Sequence, residues 1–269
     1  MAINNGPFNF TGSFGNMRFY YDPVLKINIA SEKGVHTKDA FWNNPNYARA
    51  WDLVKEFGGR SKWASLVKQS LSDIGHLMFP RCFNQIQTSG YLIQQQDETC
   101  ANGLHDVIVN NDPGLLLGID LNERSPFSRI LRGNYEITLS PDKKTVTLTI
   151  HGFTPSKDAH WKTNFYAMRF YLVILQITDM VWNPVTEKYE PVVADLELLS
   201  QCAVSEWIVR NSVSGDVILQ ATLEQPALTS PGTTLAAAVG VEFSISAFRG
   251  QPTIKPNSGS AAIVAYYTV

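Results

Sequence analysis

Cysteine is too scarce to staple this chain. Cys82, Cys100 and Cys202 are odd in number and widely spaced over 269 residues, so neither a disulfide framework nor a Cys-x-x-Cys metal pair can be drawn. Reduced, partly buried thiols are the expectation. An excess of charge is missing too: 22 basic residues stand against 24 acidic ones, a formal charge of −2, too even to grip nucleic acid or an anionic membrane surface. No apolar run approaches the roughly 18–20 residues that cross a bilayer. The longest, Phe170-Tyr-Leu-Val-Ile-Leu175, suits a buried strand. The opening MAINNGPFNF lacks a basic segment followed by an apolar one, as a secretory signal would have. These absences predict cytoplasmic synthesis without a signal peptide, no membrane insertion and no nucleic-acid partner.

Motifs of catalysis are equally thin. His36, His76, His105, His151 and His160 form no His-x-x-x-His or His-Glu-x-x-His pair, and no Gly-x-Ser-x-Gly elbow occurs. Asp97-Glu98 and Ser205-Glu206 offer carboxylates without a partner at helical or strand spacing. Gly12-Ser-Phe-Gly15 would cradle a phosphate if it led into a helix or ended in Gly-Lys-Ser/Thr. Asn16-Met-Arg-Phe-Tyr-Tyr21 follows instead and reads as a strand, so the glycines predict a hairpin bend. The residues point to a protein that is not an enzyme, with no catalytic residue, cofactor or metal site.

What is present divides into three regions. Residues 1–42 alternate apolar and polar positions around turns: Phe8 and Phe10, then Met17, Phe19 and Tyr21, then Leu25, Ile27 and Ile29. This predicts an N-terminal β-hairpin arm with little core of its own. Residues 43–105 change to helical spacing. Asn44-Pro45 predicts a helix start with Tyr47, Trp51, Val54 and Phe57 inward and a stop at Gly58-Gly59; Ser61 predicts the cap of a second helix ending at Gly75; a third begins near Pro80 with Phe83, Ile86, Gly90 and Ile93. Residues 106–269 are β-rich, with a clear hairpin over Tyr135–Leu139 and Val146–Ile150 and further strands near 164–178, 191–199, 216–224, 235–247 and 260–268. The fold class that follows is α+β: a hairpin arm, a small helical layer and a C-terminal, seven-stranded, immunoglobulin-like β-sandwich.

Two features favour assembly. Phe165–Leu175 is apolar on both strand faces after Arg169 and wants cover on both, from the helical layer or from another subunit. The arm, a small sheet marginal in water, needs a surface on its own chain or on a second copy. The reading is therefore a self-assembling structural protein, the subunit of a filament, tube or phage-like particle that stays in the cell or is released, with copies of itself as partners. The contacts are assigned to Phe14, Phe19, Tyr20 and Tyr21 of the arm. The alternative is a sandwich that binds a glycan or protein ligand through Trp161 and Trp182, which flank loops.

Gly6, Thr11-Gly12, Phe19-Tyr20 and Glu32-Lys33-Gly34, followed by Ala48-Arg49, Glu56-Phe57-Gly58, Lys62 and Leu66, carry a resemblance. So do Gly103-Leu-His-Asp-Val107, Leu115–Leu121 and Ile150-His-Gly-Phe-Thr-Pro155. The chain resembles a family of uncharacterised Bacteroidota proteins that open on a Gly-rich hairpin ending in Phe-Tyr and continue with a helix carrying Glu-Phe-Gly. Ile29–Gly34 departs from that pattern, lacking its Arg and second Gly. The resemblance implies the same three-part layout, ending in a β-sandwich, and no catalytic residues.

Overall fold

The structure, a computed structural model, describes residues 2–4, 11–32, 38–160, 165–213, 215–225, 231–248, 251–254 and 259–268. The chain is α+β, with several antiparallel sheets, few helices and a hairpin near its N-terminus. It divides into two compact units, Met1–Trp51 and Asp52–Val269.

In the first unit β1 (Ala2–Asn4), β2 (Gly12–Phe14), β3 (Met17–Asp22) and β4 (Ile27–Glu32) form an antiparallel sheet in the order β1-β4-β3-β2. Gly15-Asn16 joins β2 to β3, and Gly15 at φ 55° fills the first position of a two-residue hairpin turn, where glycine is favoured. The Gly12–Gly15 stretch therefore leads into a strand. At the next bend the Asp22 side chain accepts from the backbone N–H of Val24 and Leu25 at 2.8 and 3.0 Å. The alternation at Phe8 and Phe10 lies outside the described residues. A short helix α1 (Lys38–Trp42) and a 3-10 turn (Pro45–Tyr47) complete the unit, the turn capped by the Asn44 side chain accepting from Asn46 N–H at 3.1 Å. Trp51 Nε1 donates to the Phe41 carbonyl at 2.8 Å.

The two helices expected between residues 44 and 75 are one. Helix α2 (Ala48–Ser70) runs through Gly58-Gly59 and Ser61 without interruption, and a 3-10 segment (Ser72–Leu77) follows it. Its buried stripe is Glu56, Gly59, Trp63, Ala64, Val67 and Ser70. Val54 and Phe57, expected to face inward, are 45% and 50% exposed. The reason is that a glutamate and a glycine hold core positions that the eye assigns to apolar residues. A Cβ on Gly59 would stand 2.6 Å from the Tyr189 ring, so the glycine is a point of close approach rather than a stop. Helix α3 (Cys82–Gln94) starts after Pro80 as expected and packs Gly90 onto Trp63 in the same way.

The strands of the second unit are β5 (Tyr135–Leu139), β6 (Thr145–Phe153), β7 (Ala167–Thr178), β8 (Met180–Asn183), β9 (Lys188–Pro191), β10 (Gln201–Val204), β11 (Ile208–Val209), β12 (Gly215–Thr222), β13 (Thr233–Phe248), β14 (Gln251–Ile254) and β15 (Ser260–Thr268). The expected strand at 191–199 is instead the end of β9 and a 3-10 turn (Leu196–Leu199), entered through Asp195 at φ 61°. β7 and β13 pair along twelve residues, from Thr178↔Thr233 to Ala167↔Ser244. β10 and β11 line the far side of β7, and β15 and β14 the far side of β13. A separate sheet has the order β12-β6-β5, and β8–β9 is a two-stranded hairpin bridged to Val107 through Met180.

Side chains alternate across a strand, so the β7–β13 pair feeds two cores. Phe170, Leu172 and Ile174 with Leu235, Ala237, Val239 and Val241 meet Val146, Leu148, Ile150 and Leu219 of the smaller sheet. Tyr171, Val173, Leu175 and Ile177 with Ala236 and Ala238 meet Trp63, Val67, Leu71, Ile74 and Ile86 of the helices. Both faces of the apolar strand are thus covered within one chain. The apolar face towards the helices ends at Glu242, which is buried and accepts from Arg169 Nε and the Tyr171 hydroxyl, both at 2.7 Å. Among the described residues no helix is long and apolar enough to cross a membrane.

Neighbouring glycines of α2 make a direct test. Nothing lies within 4 Å of a Cβ built on Gly58, so Gly58→Ala is expected to raise stability by roughly 0.5–1 kcal/mol through helix propensity. Gly59→Ala is expected to lower it by about 1–3 kcal/mol by pushing on the Tyr189 ring. Urea unfolding of the two variants reads the opposite signs.

Candidate functional site

Four of the six contact residues expected from sequence stand on the first unit's sheet. Directly paired residues of an antiparallel ladder share a face. The pairs Phe14↔Met17, Gly12↔Phe19 and Phe19↔Ala30 place Phe14, Met17, Phe19 and Tyr21 on one face, and Tyr20↔Ile29 places Tyr20 on the other. Phe14 is 84% exposed and Tyr21 49%, while Phe19 and Tyr20 are half-buried. Ile29 and Ala30 are the buried side chains among the described residues of this unit. Such a sheet turns Phe14, Met17 and Tyr21 to water and keeps almost no interior among its described residues. Its outer strand β2, Gly-Ser-Phe, also lacks the lysine, proline or bulge that commonly blunts an edge.

Of the two tryptophans, Trp161 lies outside the described residues. Trp182 is partly buried: its ring meets Tyr189 edge-on at 5.3 Å and packs against the helix-side core, with Lys55 Nζ 5.8 Å from the ring centre. Its backbone N–H donates to Asp106 at 2.7 Å. The hairpin β8–β9 spends this side chain on packing.

A second group of polar residues gathers in the second unit, where α2, the end of α3, the loop 95–108 and the β8–β9 hairpin meet. Glu56 is buried and accepts from His105 Nδ1 at 2.5 Å and from Gly103 N–H at 2.8 Å. The His105 carbonyl accepts from the Tyr189 hydroxyl at 2.9 Å and from Gln94 Nε2 at 2.7 Å. Burial pushes the Tyr189 hydroxyl far up, and the Glu56 and Asp106 charges add to it. The network lets a glutamate sit in the helix stripe because His105 and Gly103 both donate to its carboxylate.

Beside it, ligand-type atoms of Asp97, Cys100 and Asp106 lie within 4.8 Å of one another, as a cation site would require. Protein donors already occupy most of the carboxylate oxygens. Asp97 accepts from the Thr99 hydroxyl at 2.6 Å, Thr99 N–H at 2.9 Å and Asp106 N–H at 2.8 Å. Burial alone would push Asp97 up, but these hydrogen bonds outweigh it and hold the carboxyl at about 2. Asp106 is pushed up by burial and by the Asp97 charge, although the Trp182 N–H pulls the other way. Cys100 Sγ points at Asp106 Oδ2 from 3.7 Å, and burial with the Asp97 contact raises its thiol. A thiol held neutral is a poor nucleophile, and the trio works as a staple for the loop. All three cysteines are free, and burial lifts Cys202 to about 11.

Sequence spacing gave little access to this group. Glu56 and His105 are 49 residues apart, and the one local signal is Asp97-x-x-Cys100 with Asp106 six residues on. Of the other histidines, His76 lies 3.3 Å from Glu242, His151 3.7 Å from Asp216, and His160 3.4 Å from Arg132, all partly or well exposed; His36 is outside the described residues. Comparison with protein-family models, curated proteins and solved structures finds no match for the chain.

Asp179, buried beside this region, accepts from Val109 N–H at 2.8 Å. Burial, with the Asp106 charge, pushes it up to about 6 despite that bond. A raised carboxyl gives stability that is complete below about pH 4 and is lost as pH rises through 6. Asp179→Asn keeps the acceptor and removes the charge. It is expected to exceed the parent by on the order of 2 kcal/mol at pH 8 and to equal it near pH 4, read from urea midpoints across pH. Equal midpoints at pH 8 would contradict this.

Proposed function

We propose that this is a non-enzymatic structural protein that assembles with copies of itself through its N-terminal sheet, aided by the open edges of its larger β-unit. The observation that carries the reading is the exposed row Phe14, Met17 and Tyr21 on one face of a sheet whose described residues bury just Ile29 and Ala30. Apolar side chains grouped on one exposed face mark interaction surfaces. A small sheet gains stability when that face, or its free edge, is covered. A second copy supplies the same row, so two sheets can bury it mutually about a twofold axis. The full apolar burial of one Phe is worth roughly 1.5–3 kcal/mol, enough for a few such residues to drive association. The two-sided need of β7 is met inside the chain, so this proposal rests on the arm.

The larger unit reads, in this proposal, as an immunoglobulin-like sandwich of seven principal strands. Taken in chain order as β5, β6, β7, β10 with β11, β12, β13 and β15, the first, second and fifth make one sheet and the fourth, third, sixth and seventh the other. The constant immunoglobulin domain differs by keeping its fourth strand on the first sheet. Sandwiches of this kind present open strand edges to a neighbour, here β5, which pairs with β6 alone among the described strands.

Sedimentation of the full chain from about 1 to 100 μM is expected to show concentration-dependent growth beyond the monomer. The pair Phe14→Ser with Tyr21→Ser is expected to shift that growth at least tenfold upward in concentration, with unchanged circular dichroism. A parent chain that stays monomeric throughout, or variants that assemble like the parent, would overturn the proposal.

A further inference from the structure

Two buried polar atoms in the second unit have no hydrogen-bond partner among the described residues although they share one cavity. Trp63 is fully buried on α2, and its Nε1–H meets no acceptor; Oε2 of Glu197, in the 3-10 turn Leu196–Leu199, is buried and meets no donor. Both residues line a cavity of about 10 Å3, together with Leu66, Val67, Ser70 and the Gln176–Thr178 stretch of β7. A buried donor and a buried acceptor left bare would each cost on the order of 1–3 kcal/mol, which a native interior rarely tolerates.

We infer that this cavity is an internal hydration site holding one water molecule, which accepts from Trp63 Nε1–H and donates to Glu197 Oε2. The volume sits at the lower bound for a single water, and buried waters characteristically make two to four hydrogen bonds. A third partner is at hand. The Ser70 hydroxyl donates to the Leu66 carbonyl at 3.2 Å, leaving its lone pairs free to accept the second water proton on the same wall. The other hydroxyl of the lining is spent: Thr178 Oγ1 donates to the Asp179 carbonyl at 3.1 Å and accepts from Val193 N–H at 3.0 Å.

The place in the fold gives the water a task. β10 pairs with β7 over Tyr171–Ile174 alone, so the last residues of β7 have the 196–199 turn, not a strand, at their flank. The water joins that turn to α2 and so ties the helical layer to the sheet where the ladder has run out.

The test uses the full chain. A crystal structure at about 1.5 Å is expected to show one rounded density peak within roughly 3 Å of both Trp63 Nε1 and the Glu197 carboxylate. In solution the Trp63 indole N–H is expected to give a nuclear Overhauser contact to a long-lived water. Glu197→Gln, which keeps an acceptor oxygen, retains the peak and the contact; Glu197→Leu loses both while its circular dichroism stays that of the parent. An empty cavity, or a direct Trp63–Glu197 hydrogen bond with no peak between them, overturns the inference. Retention of the water signal in Glu197→Leu does so as well.

Discussion

The β7–β13 pair imposes the constraint from which the rest follows. Twelve paired positions carry apolar side chains on both faces over most of their length, and a strand pair of that kind is stable in water only as the middle layer of three. One cover is a sheet and the other is helical, and the two differ in chemistry. Towards the smaller sheet β13 presents Leu235, Val239, Val241 and Phe243, with Ala237 the one small residue among them; towards the helices its stretch from 236 to 240 is small throughout, Ala236, Ala238 and Gly240. A Cβ on Gly240 would stand 2.8 Å from Leu77. Small residues on this face let the 3-10 segment after α2 lie close on the strands, as bulky ones would not.

That close packing explains how polar groups are distributed. Glu56, Asp97, Asp106 and Asp179 collect where the helical layer meets the loop 95–108 and the β8–β9 hairpin, a region built from short elements that leave backbone N–H groups unpaired by a ladder. The carboxylates take up those donors: Gly103, Thr99, Asp106, Trp182 and Val109 each give an N–H to one of them. The same residue type that would signal acid–base chemistry is here the hydrogen-bonding complement of irregular chain.

Elements with strict periodicity were legible in the sequence. The Tyr135–Ile150 hairpin, β7, β13, β15 and α3 stand close to where alternation, an unbroken apolar run and helical spacing place them, because burial on one face or on both leaves a regular trace in the sequence. The two helices read in place of α2 failed for a definite reason. Gly58-Gly59 looks like a terminus until Tyr189, 130 residues away, is seen to need the missing side chain. Glu56 looks like a surface residue until His105 and Gly103 are seen to satisfy it. β10 and β11 were missed because together they are one edge strand interrupted at Ser205, whose N–H and hydroxyl both bond to Phe170 in place of a regular ladder. Long-range satisfaction of polar groups leaves no periodic trace. The aromatic row of the arm did leave one, since Met17, Phe19 and Tyr21 alternate in a strand.

The central claim is that helices and sheets of the second unit stand or fall together, because neither can keep the β7–β13 face dry alone. Native-state hydrogen exchange on the full chain tests it most directly. The account predicts that amides of Trp63, Ala64 and Val67 in α2 open with the same free energy as those of Val173, Leu175, Ala236 and Ala238. That shared value should equal the free energy of global unfolding. Helix amides that exchange through a separate opening several kcal/mol lower, while the strands stay protected, would contradict it.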